Sequence, residues 1–400
     1  MRILFINQFF PPDLAPTGQL LSDVTSYLSE QGHDVSVLCS DSVYAEGGRP
    51  AQGSEKVYRL KGLRFRRSLV GRSACYLAFL FDALRLALTI KDIDAIVTLT
   101  TPPLLSFVGA IAKRFRGCQF FIWEMDLFPE SLVTMGLLGR GSVLVKILRK
   151  VADLPRRQAD GIIVLGSCMR SQLIAHGLPS SGIKVAENWS KTTAGFSPLP
   201  NNPWLTVFYS GNLGASHDTE TIFTAMTLLG SDPRFQFVFA GGGAKRKSFE
   251  RRCRELNLTQ VQFVPYGESA EYAARLRDAD IGLVTQTDLS LGAVVPSKLY
   301  SILAFGRPVL FAGPESSTVA RVIKTNNCGW HVPCGAGPQL ADLLKYLAGN
   351  HSAIATAARN ARSTYLSQYT VASGTGRIAE ALGLAALVET HSAKRAHAGS

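Results

Sequence analysis

The chain has 400 residues, more than one ordinary core accommodates, and 46% of them are hydrophobic, so a globular protein of two domains is expected. Lys and Arg outnumber Asp and Glu by 42 to 30, a formal charge of +12 that suits nucleic acid, anionic lipid or a phosphorylated substrate. No charge-free apolar run reaches eighteen residues, Met1-Arg2 leads directly into a strand-like segment, and the seven cysteines have neither disulfide nor metal-ligand spacing; a membrane span, a signal peptide and a disulfide scaffold are not expected, and a reducing cytoplasm is.

Arg2 to Asn7 reads as a buried strand, followed by a Pro-rich loop to Gly18, a helix from about Gln19 to Glu30 and a strand from Asp34 to Cys39. This is a βαβ unit whose loop leaves the carboxyl end of the first strand, where open α/β sheets bind ligands. Residues 41–56 read as an exposed loop. A basic run from Arg59 to Arg72, with Lys61, Arg64, Arg66 and Arg67, precedes an unusually apolar helix, Ser73 to Ile90; the pairing suits a domain helix or an anionic membrane surface. A second basic stretch spans Lys146 to Arg157. No zinc-finger, RNA-binding or recognition-helix pattern accompanies either, so nucleic acid is not expected.

Strands follow at Asp94–Thr98 and Gln119–Trp123. At the end of the latter, Glu124, Asp126 and Glu130 gather three carboxylates at a strand terminus, where one can accept a proton from an attacking hydroxyl. Gly161–Leu165 reads as the last strand of this half, with Ser167 as cap of a helix to His176. Residues 1–190 form the first expected domain, and the polar, Pro-rich run 191–203 reads as a linker.

The second half, 204–370, repeats the pattern. Strand Leu205–Tyr209 leads into Ser210-Gly211-Asn212-Leu213-Gly214, with Ser216-His217-Asp218 opening a helix. Strand Phe235–Ala240 ends in Gly241-Gly242-Gly243, followed by Lys245, Arg246 and Lys247. Glycines let backbone approach a phosphate, and basic residues beside them suit a diphosphate clamp or an exposed turn. Further strands at Val261–Val264 and 279–284 frame the Pro265-Tyr266 loop and a helix from Ser269. Pro296 and Ser297 then start a short helix, with Ser297 as cap and Lys298 in its first turn. A cation there is misplaced in the helix dipole unless it meets an anion. Pro308 to Phe311 is the next strand. A C-terminal helix, 371–390, is expected to return to the first domain, ahead of a polar tail, 391–400.

With these residues in view, the chain resembles the retaining glycosyltransferases of family 4, of the GT-B fold: an α/β protein of two Rossmann-like parallel-sheet domains facing a central cleft. It is most similar to the branch of colanic-acid and O-antigen fucosyl- or N-acetylfucosaminyltransferases. The likeness rests on FFPPDLAPTG (9–18), WEMDLFPES (123–131), YSGNLGASH (209–217), FAGGGAKR (239–246), DADIGLV (278–284) and VPSKLYSILAFGRPV (295–309).

The resemblance implies transfer of a hexose, deoxyhexose or N-acetylated sugar from a nucleoside-diphosphate sugar to a lipid-linked saccharide. The enzyme would sit peripherally on the inner face of a bacterial plasma membrane. By the same likeness Gly211, Asn212, Gly214 and Gly241 to Gly243 border the diphosphate, and Lys298 with Lys245 or Arg246 offsets its charge. Pro265 and Tyr266 lie beside the base, Gly18 near the donor phosphate and acceptor, and Asp126 in the active site. The family's two glutamates, eight positions apart, are replaced by Ala293 and Ser301, which leaves Ser301 as a neutral ribose partner. No Asp-x-Asp stands where a GT-A enzyme would need one, so no essential metal is expected. A sugar-nucleotide 2-epimerase of the same fold, or a catalytically silent partner subunit, are the alternatives; the first would carry more acids and histidines in the cleft.

Overall fold

The computed structural model describes residues 1–41, 53–61, 69–191, 197–267 and 269–384. Most of the loop expected at 41–56, Arg64, Arg66 and Arg67 of the basic run, part of the linker, and the tail from 391 lie outside the described residues.

Two parallel sheets carry the chain. The first contains β1 (Arg2–Ile6), β2 (Asp34–Ser40), β3 (Lys56–Leu60), β4 (Ala95–Thr98), β5 (Gln119–Glu124), β6 (Gly161–Val164) and β7 (Ile183–Val185), in the order β3-β2-β1-β4-β5-β6-β7. The second contains β8 (Leu205–Ser210), β9 (Phe235–Ala240), β10 (Val261–Val264), β11 (Ile281–Thr285), β12 (Val309–Ala312) and β13 (Gly329–Val332), in the order β10-β9-β8-β11-β12-β13. In both, strand order reverses beside the first strand, which opens a crevice at the carboxyl ends. Alternation along β1 explains why the strands read as continuous apolar runs. Ile3 and Phe5 face one helical layer, Leu4 and Ile6 the other, and all four are buried.

Several expected boundaries move. The helix after β1 is Pro16–Glu30, with Pro16 in its first turn, so Gly18 lies inside a helix rather than in the loop before it. The apolar helix is Leu69–Thr89, and β3 occupies the start of the basic run. Ser167 is the first residue of its helix, and Gly166 takes the cap position. His217 stands in a turn; the helix after it begins at Glu220, its first N–H groups held by the Asp218 carboxylate at 3.0 and 3.2 Å.

The halves touch directly. Leu127 N–H donates to the Ala293 carbonyl at 2.8 Å, Cys168 Sγ lies 3.3 Å from Thr318 Oγ1, and Arg321 pairs with Glu187. The last described helix, Val371–Ala381, packs on the Pro16–Glu30 helix and on β6. A Cβ at Gly374 would meet the Trp189 ring at 2.2 Å, so a glycine is needed where that helix packs on the segment after β7.

Candidate active site

The short helix after the second half's glycine loops is Lys298–Ala304. Ser297 precedes it in helical conformation and makes no side-chain cap, a correction to its expected role. Lys298 reaches back over β8. Its Nζ lies 5.1 Å from the centre of the Tyr209 ring and 3.4 Å from His217 Nε2. Gly211 makes this possible: its φ is +137°, and a Cβ there would meet Lys298 Cε at 2.3 Å and Nζ at 2.8 Å. Burial draws the Lys298 ammonium down to about 8, and no carboxylate pairs with it among the described residues.

His217 sharpens that observation. The Gly214 N–H donates to its Nδ1 at 3.1 Å, which assigns the neutral ring's proton to Nε2, the nitrogen facing Lys298. Burial, then the charge of Lys298, holds the imidazole near 3, so it stays neutral. Two donors thus face one another without an acceptor. An anionic oxygen between them would accept from both.

The glycine loops stack beside this pair. Gly241 has φ +122°, and a Cβ on it would strike the Gly211 carbonyl at 2.5 Å; Gly243, at φ +108°, lies equally close to the Leu213 backbone. Asn212, Gly241, Gly242, Arg246, Pro265 and Tyr266 line an open depression, and Tyr266, 66% exposed, also walls the main cavity. Lys245 does not join them. Its Nζ donates to the His217 carbonyl at 2.6 Å and so fixes the loop that holds His217. Arg246 is the basic residue of the pair that lines the depression, while its Nη1 donates to the Val264 carbonyl at 2.7 Å.

The main cavity, about 400 Å³, lies between the halves. Ser297, Lys298 and Ser301 line it with Tyr272, whose hydroxyl donates to Ser301 Oγ at 2.8 Å; Ser301 in turn donates to the Lys298 carbonyl at 3.0 Å. The opposite wall is one that the sequence did not reveal: Gln19, Asp23, Asn188, Trp189 and Lys191. Asp23 accepts from Trp189 Nε1 at 2.8 Å and pairs with Lys191, and the Trp189 ring stacks 6.2 Å from Trp123 at the end of β5. Gly18 is not in this wall. A Cβ on it would meet the Phe9 carbonyl oxygen at 2.9 Å, so its close approach is to its own loop.

The three carboxylates after β5 divide. Glu124 is buried against Arg156 at 2.7 Å, with both side chains 3% exposed. Glu130 pairs with Arg149 at 2.8 Å and lies 3.3 Å from His176 Nε2. Burial alone would raise its pKa, but the hydrogen bonds from His176 and Arg149 hold it below the usual value. Of the three, Asp126 alone is exposed, one residue before the Leu127–Ala293 hydrogen bond between the halves. Surrounding protein, then the neighbouring Glu124 charge, pushes its carboxyl up to about 6. It is not part of the main cavity's wall.

Residues 18–189 match the family model described as "Glycosyl transferase 4-like domain", and residues 192–364 that described as "Glycosyl transferases group 1". The fold and this paired match define the class: the chain is a GT-B-fold glycosyltransferase with a GT4-like domain, dependent on a nucleoside-diphosphate sugar and related to bacterial sugar transferases of exopolysaccharide and lipopolysaccharide synthesis. It is 26% identical over 284 residues to the Pseudomonas aeruginosa protein named "Probable glycosyltransferase WbjE", covering 68% of this chain and 70% of that one. It is 23% identical over 359 residues to "Putative colanic acid biosynthesis glycosyl transferase WcaI" of Escherichia coli (strain K12), covering 81% and 86%. Among solved structures, Anabaena Alr3699/HepE in complex with UDP superposes with a TM-score of 0.68 at 16% identity, covering 96% of this chain and 100% of that one. Among the described residues no helix is long and apolar enough to cross a membrane.

Proposed function

We propose that the protein moves a hexose, deoxyhexose or N-acetylated sugar to a lipid-linked saccharide in exopolysaccharide or O-antigen synthesis, retaining anomeric configuration, with a fucosyl or N-acetylfucosaminyl nucleotide as the leading donor. The observation that carries this reading is the unpaired Lys298 facing His217 Nε2 across a glycine that only just admits it. The relative named for colanic acid synthesis supports the polysaccharide context.

In this reading the donor diphosphate lies over Gly211 and Gly241 to Gly243, and its oxygens accept from Lys298, His217 Nε2 and Arg246. The bond between the anomeric carbon and phosphate oxygen breaks, and its electron pair leaves with the diphosphate. The acceptor hydroxyl attacks from the same face and passes its proton to the departing oxygen. Donors aimed at that oxygen, where negative charge grows, stabilise the transition state more than the ground state. Lys245 positions the His217 loop, Gly214 fixes the His217 tautomer, and Asp126 orients the acceptor. Tyr266 and Pro265 flank the base, and the Tyr272–Ser301 pair meets the ribose. No metal is required. The Asp278-Ala279-Asp280 sequence stands just before β11, where Asp280 accepts from the Thr206 N–H at 2.8 Å.

The enzyme works on the cytoplasmic face of the plasma membrane, with an anionic surface as a partner. A thermal-unfolding screen of UDP-, GDP- and dTDP-sugars finds the donor, and product configuration read by NMR tests the reaction. One donor class should raise the melting temperature and give a product of retained configuration in the presence of chelator. Absence of protection by any of them, or an inverted product, contradicts the proposal.

A further inference from the structure

The Val143–Arg156 helix, on the same face of the first sheet as the Leu69–Thr89 and Ser106–Arg116 helices, carries apolar side chains on the wrong side. Its buried face is Val145, Ala152 and Arg156. Directly opposite, Val143, Ile147 and Leu154 are 70%, 53% and 53% exposed, with Leu144 beside them. Met135 and Leu137, in the turn before the helix, are also exposed. A water-facing helix surface is ordinarily polar, and a contiguous apolar patch marks a surface made for contact.

The charges around the patch say what covers it. Lys146, Lys150 and Arg157 follow at i, i+4 and i+11 along one edge, and Arg140 stands in the preceding turn. Between 135 and 157 the one acidic residue is Asp153, buried and paired with Arg156 at 2.9 Å. Arg140, Lys146 and Lys150 make no ion pair among the described residues. A second copy of this face would set cations against cations. Apolar side chains and unpaired cations sharing one edge instead match an anionic bilayer, with the side chains in the acyl boundary and the cations among headgroup phosphates.

The position fits as well. The turn follows the Glu130–Thr134 helix, whose Thr134 Oγ1 lies 3.5 Å from the Leu289 carbonyl of the other half. The patch therefore rims the cleft on the side of Asp126.

We propose that the 135–157 segment docks the protein on an anionic lipid surface and so brings a membrane-held acceptor to the cleft. This rests on the lipid-linked acceptor of the reading above, and it assigns the contact to a different element from the 59–72 run.

The test is co-sedimentation of the full chain with phosphatidylcholine vesicles, with and without phosphatidylglycerol. Leu144→Ser/Ile147→Ser and Lys146→Gln/Lys150→Gln are compared with wild type and with Arg64→Gln/Arg66→Gln/Arg67→Gln. Wild type should sediment with the anionic vesicles and release with salt, and each of the first two variants should lose about tenfold in partitioning. Their thermal unfolding and nucleotide-sugar protection should be unchanged, because the altered side chains are exposed. Variants that sediment like wild type, or a wild type that ignores anionic vesicles, overturn the proposal. So does a concentration-dependent dimer that the serine variant abolishes, which would give the face to a second copy. Sugar transfer to a soluble acceptor is measured in parallel. Vesicle binding without transfer would sink the acceptor reading and leave the docking surface standing.

Discussion

The two sides of the cleft treat charge in opposite ways. After β5, the acids are matched: Glu124 by Arg156, Glu130 by Arg149 and His176, with Asp153 joining the same buried network. Only Asp126 is left over, and its surroundings raise its carboxyl to about 6. Across the cleft, Lys298 is left with neutral neighbours, an aromatic ring and a histidine that cannot take a proton near neutral pH. A largely buried cation without a counter-ion is costly, and the donor phosphate proposed above would offset that cost. The acidic side is a network of matched charges with one acid exposed; the basic side is a cation without a carboxylate partner among the described residues.

That contrast can be broken from either side. The largest effect on stability is expected where charge is already compensated. Arg156→Ala leaves Glu124 and Asp153 buried without their partner and should cost about 3–5 kcal/mol in chemical denaturation. A loss under 1 kcal/mol would mean that water already screens the pair.

Gly211→Ala comes next. It imposes a side chain at φ +137° and displaces Lys298, so a stability loss of about 1–3 kcal/mol should accompany a fall in donor affinity. Retained affinity would show that Lys298 acts from another position.

Asp126→Asn sharpens the acidic side through a sign. A carboxyl raised to about 6 holds its proton longer folded than unfolded, so its contribution to stability is present at low pH and is lost as pH rises from the ordinary carboxylate range through about 6. The asparagine should therefore raise the melting temperature above pH 6 and change little well below it. It should also remove the acidic limb of the kcat/KM profile near 6. A variant less stable at neutral pH would refute the assignment.

Ser301→Ala is the smallest change. It takes one acceptor from Tyr272 and should cost roughly 0.5–1.5 kcal/mol in donor binding or stability. A loss of a hundredfold in kcat/KM would show that this serine does far more than a neutral ribose partner can.

The sequence was most informative where function and local chemistry coincide. A lysine at a helix start, after Pro-Ser and before a strand, is anomalous in itself, and both glycine loops follow strands whose apolar pattern is plain. Alternating burial on both faces also made the two parallel sheets legible. Partners distant in the chain were not. Glu124 and Arg156 are 32 residues apart, and Asp23 and Trp189 are 166 apart, so three carboxylates looked available where one is. His217 was read as part of a helix start because its meaning depends on Gly214 and Lys298 together. Sequence also does not tell which backbone a glycine approaches: Gly18 lies against the Phe9 carbonyl oxygen of its own loop. The short strands β3, β7 and β13 were missed: β3 hides in a basic run, β7 is three residues long and lies beyond the strand read as the last of its half, and Gly329-Trp330-His331-Val332 has no alternation.

The most direct test of the unpaired cation is nucleoside-diphosphate affinity against pH in wild type and Lys298→Ala, at equal folded fraction. Lys298 titrates near 8 in the free protein, so wild-type affinity should be level below that pH and fall above it. The alanine variant should bind more weakly by about 1.5–3 kcal/mol and lose that fall. An alanine variant that binds as tightly as wild type, with the same pH dependence, would contradict the account.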